Sequence, residues 1–151
     1  MGLNEILYKT CTASEDEIFT HLLECNENFK PPLTDRVNIE EYSRKILKKS
    51  ITFEAWFEHS LIGLIAAYFN ESPVLSVFIT NVSVLKDFMN MGIASELLRN
   101  CISYAKKENM AEINLEVNKE SINAIGLYRK FGFLDDFVTN ETFKMNLKLI
   151  H

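Results

Sequence analysis

The hydrophobic pattern predicts one long amphipathic helix between Gly92 and about Glu108. Lys106 and Lys107 suit the negative end of its dipole, and Asn109 favours a left-handed residue that ends the helix. Apolar residues recur with the period of an α-helix and would form one buried face: Ile93, Leu97, Leu98, Cys101, Ile102 and Ala105.

Polar capping residues predict three further helices. Ser14 and Glu17 form a capping box, in which each side chain accepts a hydrogen bond from the other residue's backbone N–H. Asn38 caps a second helix. Ser121 caps a shorter one that runs through Lys130. Two prolines between the first two helices exclude helix there, because a proline restricts the residue before it.

Apolar runs and alternation predict six strands, at 6–8, 52–57, 61–69, 74–85, 112–117 and 142–148. The stretch 74–85 is long for one strand, so we expect a β-bulge or bend in it. A helical crossover joins it to 112–117, which makes these two strands parallel neighbours. A bend would splay them and leave backbone groups unpaired, where an extended ligand arm could pair as a strand does.

The segment that leads into the long helix predicts a strand and a tight turn. Val82 and Val84 alternate with polar residues, as in a strand with one buried face. The helix then starts with small residues, Gly92, Ala94 and Ser95, so its first N–H groups are open. Such groups bind phosphate. The alternative is that Gly92 merely opens a turn; the glycine-rich P-loop and dinucleotide fingerprints are both missing.

Composition and charge limit the function classes. We expect the 151 residues to form a single domain, 1–151. A net charge of −5 argues against nucleic acid as the main partner. No apolar run approaches the roughly 20 residues of a membrane span, and the N-terminus lacks the features of a signal peptide. We therefore expect a cytoplasmic protein without a membrane partner. Three scattered cysteines and three isolated histidines predict neither a disulfide nor a metal site.

Two motifs resemble those of the GNAT N-acetyltransferase superfamily. Residues 89–94, Met-Asn-Met-Gly-Ile-Ala, are similar to its acetyl-coenzyme A loop, Arg/Gln-x-x-Gly-x-Gly/Ala. Residues 121–133 are similar to its more specific signature, Asn-x-x-Ala-x-x-Leu-Tyr-x-x-x-Gly-Phe. The resemblance implies an α/β (α+β) fold, with a central mixed twisted sheet of about six to seven strands and about four helices. Residues 82–133 would then form the cofactor-binding and catalytic core, and 14–50 the helical acceptor side.

The resemblance also implies that acetyl-coenzyme A is the acetyl donor. Met89 stands where the family usually has Arg or Gln, and Asn90 where glycine is common, although asparagine tolerates positive φ. Ser121 replaces the usual Asn. We expect the donor to bind, mainly through backbone N–H groups. The implied cofactor-binding residues are Val82, Val84, Met89, Asn90, Met91, Gly92, Ile93, Ala94, Ser95, Ser121 and Tyr128.

Two side chains suit acyl transfer from a thioester to an amine. A carboxylate at Glu116 could take the proton of the attacking amine. A tyrosine hydroxyl at Tyr128, the acid in the resembling family, could supply a proton to the departing thiolate. The alternatives are a solvent-facing strand residue at Glu116 and a core tyrosine at Tyr128.

Two functions remain open from the sequence. The first is an N-acetyltransferase that acts by direct transfer on the primary amine of a small molecule, such as an amino sugar, or of a protein. The alternative is a non-catalytic acyl-coenzyme A-binding regulatory module. Either could be a monomer or a homodimer.

Overall fold

The computed structural model describes residues 5–150, which form one mixed seven-stranded sheet and four α-helices. The sheet order is β1-β2-β3-β4-β5-β7-β6, and only the pairing of β4 with β5 is parallel. The strands are β1 (Leu7–Thr10), β2 (Ile51–Phe57), β3 (Ser60–Asn70), β4 (Ser76–Val84), β5 (Glu112–Asn118), β6 (Leu134–Val138) and β7 (Thr142–Lys148). The helices are α1 (Glu15–Cys25), α2 (Ile39–Lys49), α3 (Ile93–Lys107) and α4 (Ile122–Lys130).

Each face of the sheet carries its own hydrophobic core. On one face, α3 and α4 cover a core that includes Leu97, Ile113 and Phe133. On the other, α1 and α2 cover a core that includes Leu22 and Ile46. A central strand such as β4 is therefore covered on both sides, and the site must open at an end of the sheet.

Helix α3 lies very close to the middle of the sheet. A Cβ placed on Gly63 of β3 would stand 2.9 Å from a methyl carbon of Ile93 and 3.2 Å from one of Leu97. No real Cβ tolerates the first of these distances, so glycine at this position lets the first turn of α3 rest directly on β3. That contact fixes where the N-terminus of α3 points.

The four predicted helices are present, and the predicted caps of α1 and α2 are confirmed. Ser14 and Glu17 form the capping box of α1, and the Asn38 side chain accepts the Glu41 N–H at the start of α2. Asn109 follows α3 with a φ of +60°. Ser121 stands at the N-cap of α4, but its side chain makes no capping hydrogen bond.

The predicted strands are present, with shifted ends and one addition. The first strand spans Leu7–Thr10 rather than 6–8, and the predicted stretch 74–85 forms a strand over Ser76–Val84. The predicted bulge is at Thr80, because Asn81 pairs with Ala66 whereas Ile79 pairs with the next residue of β3. The sequence pattern did not predict β6 as a strand, and all five of its residues are exposed.

A buried carboxylate anchors the entry to α1. Glu54 of β2 is fully buried, and it accepts hydrogen bonds from the backbone N–H groups of Thr12 and Ala13 at 2.9 and 3.1 Å. Three side chains also donate to it, those of Thr12, Thr52 and Trp56. Burial by itself would raise the pKa of Glu54, but these hydrogen bonds hold it below its usual value. The carboxylate thereby ties the β1–α1 connection to the sheet.

Within residues 5–150, no helix combines the length and apolar character needed to cross a membrane. The three cysteines are free; Cys25 and Cys101 are buried, whereas Cys11 is exposed. Burial raises the pKa of both buried thiols to about 12, so they remain protonated core residues.

Candidate active site

Strands β4 and β5 separate beyond the bulge. Their parallel pairing ends at Ile79 and Leu115, although β4 continues to Val84 and β5 to Asn118. The bulge at Thr80 bends β4 away from its neighbour at this point. The sheet therefore opens into a wedge in which an extended chain has room between the two strands.

The turn between β4 and α3 presents a row of free N–H groups. Asn90 and Gly92 both have positive φ, 65° and 79°, and these turn the chain into the helix. Within the described chain, no oxygen of the protein accepts a hydrogen bond from the N–H groups of residues 90–95. A Cβ on Gly92 would meet no atom within 4 Å, so the approach to these groups is open. Free amides at the positive end of a helix dipole form an anion cradle.

A cavity of about 310 Å³ runs along this cradle. It contains most of the predicted cofactor-binding residues and adds five that were not predicted to bind the cofactor: Ser83, Phe88, Asn123, Ala124 and Leu127. Met91 does not line it, since its side chain is 60% exposed. Ser121 lines a neighbouring cavity instead. The predicted residues that do line it are Val82, Val84, Met89, Asn90, Gly92, Ile93, Ala94, Ser95 and Tyr128.

The second cavity, of about 670 Å³, lies on the α1–α2 side of the wedge. The connection between α1 and α2 supplies one wall, including Phe29 and Arg36. The ends of β4 and β5 supply the opposite wall, including Asn81 and Glu116. The two cavities share five lining residues: Val82, Met89, Asn123, Ala124 and Tyr128.

Tyr128 lies where the two cavities meet. It is 5% exposed, and its ring packs against Phe133 with 5.8 Å between the centroids. Its hydroxyl has no hydrogen-bond partner among residues 5–150. Burial raises the pKa of Tyr128 above its usual value of 10.0. The phenol is therefore protonated at neutral pH, and its proton is not used in a hydrogen bond to any residue in the range 5–150.

Glu116 projects from β5 into the second cavity. Its carboxylate is exposed, and Oε2 accepts a hydrogen bond from the Thr142 hydroxyl of β7 at 2.8 Å. The Thr142 hydroxyl lies 2.8 Å from that of Thr139, which fixes it in turn. Glu116 is thus an oriented, solvent-accessible carboxylate, whereas the nearby Asn118 side chain accepts only the local Glu120 N–H.

At the end of β4, the polar residues Asn81 and Ser83 are more buried than Val82 and Val84. We expected one buried face with Val82 and Val84 on it, but both are only half-buried, whereas Asn81 and Ser83 are 5% and 7% exposed. The expectation failed because β4 is central and α1 covers its other face. The valines face the cofactor cavity and the polar pair faces α1.

A buried histidine holds this polar pair. His21 of α1 donates from Nδ1 to the Leu61 carbonyl at 3.0 Å, and its Nε2 lies 2.9 Å from the Ser83 hydroxyl. The same hydroxyl lies 2.8 Å from the side-chain oxygen of Asn81, which lines the second cavity. Burial lowers the pKa of His21 to about 4. The imidazole is therefore neutral and connects α1 to the wall of the site.

Sequence reasoning missed the acceptor-side residues. Lys30 and Arg36 lie in an irregular segment without periodicity or motif. The groups that lie closest to the His21 ring nitrogens, the Leu61 carbonyl and the Ser83 hydroxyl, are 40 and 62 residues away in the sequence. The available signal was the polar character of Asn81 and Ser83 in a strand that is central in the sheet.

Known proteins share this architecture. The model of the acetyltransferase (GNAT) family matches residues 15–133. N-acetyltransferase 8B of Homo sapiens is 24% identical over 103 residues, which is 65% of this chain and 45% of that protein. The chain thus spans less than half the length of this curated relative.

Solved structures match along nearly the whole chain. The ribosomal-protein-S18-alanine N-acetyltransferase from Escherichia coli has a TM-score of 0.75 at 17% identity, covering 95% of this chain and 94% of that one. The PaiA N-acetyltransferase from Thermoplasma acidophilum, solved in complex with coenzyme A, has a TM-score of 0.74 at 17% identity, covering 96% and 99%. At such identities the likeness shows the fold.

Proposed function

Because this chain belongs to the GNAT acetyltransferase family, we propose that it moves an acetyl group from acetyl-coenzyme A, the donor of this family, directly to a primary amine. The observation that carries the proposal is the position of Tyr128. This residue lines both the cavity along the anion cradle and the cavity on the α1–α2 side. A donor in the first cavity and an amine in the second would meet beside its hydroxyl.

The residues of the first cavity fit the donor. The free N–H groups of residues 90–95 suit a pyrophosphate and require no cationic side chain. The family usually has Arg or Gln at position 89. Met89 therefore removes one polar side-chain contact to the phosphates and leaves the backbone N–H groups, which supply most of the binding. The unpaired end of the wedge, beyond Ile79 and Leu115, would take the extended arm. When bound, the donor supplies a thioester carbonyl carbon for the amine to attack.

Tyr128 has the properties of a proton donor in this reaction. Its raised pKa keeps the hydroxyl protonated, and no group among residues 5–150 accepts a hydrogen bond from it. A hydroxyl aimed at the departing sulfur stabilises negative charge that develops mainly in the transition state. The same burial that makes Tyr128 resemble a core residue makes it a good donor.

Glu116 has the properties of a proton acceptor for the amine. An alkylamine is mostly protonated at neutral pH, so its nitrogen must lose a proton before it can attack. The exposed carboxylate lines the acceptor cavity and is oriented by Thr142. It would take the proton directly or through one water and pass it to solvent.

The acceptor that we favour is a small molecule, such as an amino sugar, because about 670 Å³ is within the range of small-molecule pockets. A protein amine is the second candidate acceptor. We place the reaction in the cytoplasm and leave both a monomer and a homodimer open.

The test is thiol release from acetyl-coenzyme A with a panel of amino sugars, amino acids, polyamines and peptides. Calorimetry on the same protein measures coenzyme A binding separately. We expect turnover with at least one amine and a fall on the order of 10²-fold in kcat for Tyr128→Phe, with coenzyme A affinity unchanged. Since the Tyr128 hydroxyl has no protein partner, the variant should fold with an unchanged or slightly higher melting temperature.

Two outcomes would contradict parts of this proposal. Equal turnover by Tyr128→Phe and wild type would exclude the acid role. Coenzyme A binding without turnover of any amine would favour the alternative function, a non-catalytic acyl-coenzyme A-binding module.

A further inference from the structure

The acceptor cavity carries charges of both signs on different segments. Lys30 and Arg36 come from the connection between α1 and α2, whereas Glu116 and Glu120 come from β5 and the turn after it. Glu27 adds a third carboxylate on the α1 side. A ligand that fills this space meets a carboxylate near the reacting centre and cations on the wall opposite β5.

Among the described residues, Arg36 is the arginine without an acidic partner. Three of the four arginines, Arg44, Arg99 and Arg129, form ion pairs with carboxylates at 2.6 to 3.6 Å. Within residues 5–150, the side chain of Arg36 makes no ion pair and no hydrogen bond, and neither does that of Lys30. The unpaired guanidinium is thus the one at the cavity.

Arg36 lines the acceptor cavity together with Thr80 and Asn81 of β4. Burial raises the pKa of the Tyr42 hydroxyl, and the positive charge of Arg36 is among the influences that oppose this rise. The Tyr42 hydroxyl donates to the Thr80 carbonyl at 2.8 Å, at the β4 bulge where the wedge begins. Arg36 therefore lines the same cavity as Glu116 and Tyr128, in which the acceptor would be bound.

We propose that the acceptor is a small primary amine that also carries an oxyanion, either a carboxylate or a phosphate. Its amine would face Glu116 and its oxyanion would pair with Arg36, with Lys30 nearby. This assignment rests on the proposed acetyl transfer. A guanidinium binds both kinds of oxyanion in a forked geometry. A chain of net charge −5 otherwise repels anions, so an anionic substrate needs such a local cation.

The same charges act against other amines. A polyamine would bring a second ammonium toward Arg36 and Lys30, and a neutral amine would leave both cations without a partner. Repulsion of the wrong ligand contributes to specificity as much as attraction of the right one.

The experiment compares acceptors in pairs that differ in the anionic group: phosphoethanolamine with ethanolamine, glucosamine 6-phosphate with glucosamine, and β-alanine with its amide. Thiol release gives kcat/KM for each with wild type, Arg36→Gln and the control Arg44→Gln. Arg44 is ion-paired with Glu15 and Glu40 and lies outside the cavity. Each acceptor is compared between wild type and the variants. The difference in amine basicity between the two members of a pair therefore does not affect the result.

We expect Arg36→Gln to lower kcat/KM about 10-fold for the anionic member of the accepted pair and to leave the neutral member nearly unchanged. Arg44→Gln should change neither. The three pairs distinguish a phosphate from a carboxylate. Calorimetry with coenzyme A-saturated protein supplies a readout that does not depend on turnover, and the anionic amine should bind Arg36→Gln about 10-fold more weakly.

The failures of the two proposals are distinguishable. Acetylation of neutral amines as fast as anionic ones, with no effect of Arg36→Gln, would overturn the anionic acceptor and leave acetyl transfer intact. A clear preference for peptides would overturn the small-molecule assignment. Absence of any turnover would contradict acetyl transfer, and equal binding of both members of every pair would then overturn the inference as well.

Discussion

His21 should make folding stability depend on pH between 6.5 and about 4. Burial lowers the pKa of its imidazole from 6.5 to about 4. As the pH falls below 6.5, the unfolded chain takes up a proton that the folded protein does not accept until about pH 4. The contribution is therefore fully present above pH 6.5, is lost progressively down to pH 4, and changes no further below that.

The size of this effect follows from the shift. A change of 2.5 pKa units at about 1.36 kcal/mol per unit corresponds to about 3 kcal/mol, most of which is lost by pH 4.5. This is a large share of the free energy of unfolding of a typical domain, which is roughly 5–15 kcal/mol. The effect also concerns the site, because His21 holds Ser83 and Asn81 in the cavity wall.

The assay is urea denaturation of wild type and His21→Gln between pH 7.5 and 4.5, with the m-value as a check on two-state unfolding. At pH 7.5 the variant should be less stable by about 1–2 kcal/mol, because it weakens two buried hydrogen bonds. By pH 4.5 the difference in stability between wild type and His21→Gln should vanish or reverse. Glu54 is present in both proteins and titrates in a lower range, so its contribution cancels.

A matched control replaces the exposed His59 with Gln, which removes an imidazole without touching the buried network. His59→Gln should follow the pH dependence of wild type. Equal slopes for wild type and His21→Gln would refute the reasoning. So would a proton resonance of His21 that titrates near pH 6.5.

Two further predictions concern the proposed roles. Glu116→Gln should lower turnover by roughly 10²–10⁴-fold near neutral pH. The loss should shrink at high pH, where free amine is abundant. Full activity of the variant would mean that the base lies elsewhere or that the amine binds already neutral. Acetyl-coenzyme A should raise the melting temperature of wild type by mass action. Gly92→Asp should remove that shift, because it places bulk and negative charge beside the free N–H groups at a residue with a φ of 79°. An unchanged shift in a folded Gly92→Asp protein would exclude the cradle.

Interactions between residues that are close in sequence made many elements of this fold predictable. The apolar period of α3, the capping box of Ser14 and Glu17, and the left-handed residue Asn109 each depend on contacts within a few residues. The bulge in β4 was predictable from strand length, and the free N–H groups before α3 from the turn and its small residues. The two motifs then indicated the family, the donor and the position of Tyr128.

Other features depend on packing between segments that are distant in sequence. β6 has no apolar alternation because all five of its residues are exposed, and it forms a strand only by pairing with β7. The burial of Asn81 and Ser83 was reversed relative to expectation, because α1 covers that face and supplies His21 from 62 residues away.

The acceptor side is the clearest case of a feature that only the tertiary structure decided. Whether Arg36 has an acidic partner cannot be known from composition or spacing, since ion pairs are set by which side chains the fold brings within about 4 Å. The fold places it across a cavity from Glu116, 80 residues later in the chain, and gives it no carboxylate among the described residues. Local patterns thus determined the helices and the cofactor turn, whereas the charges that would select an amine were brought together by long-range packing.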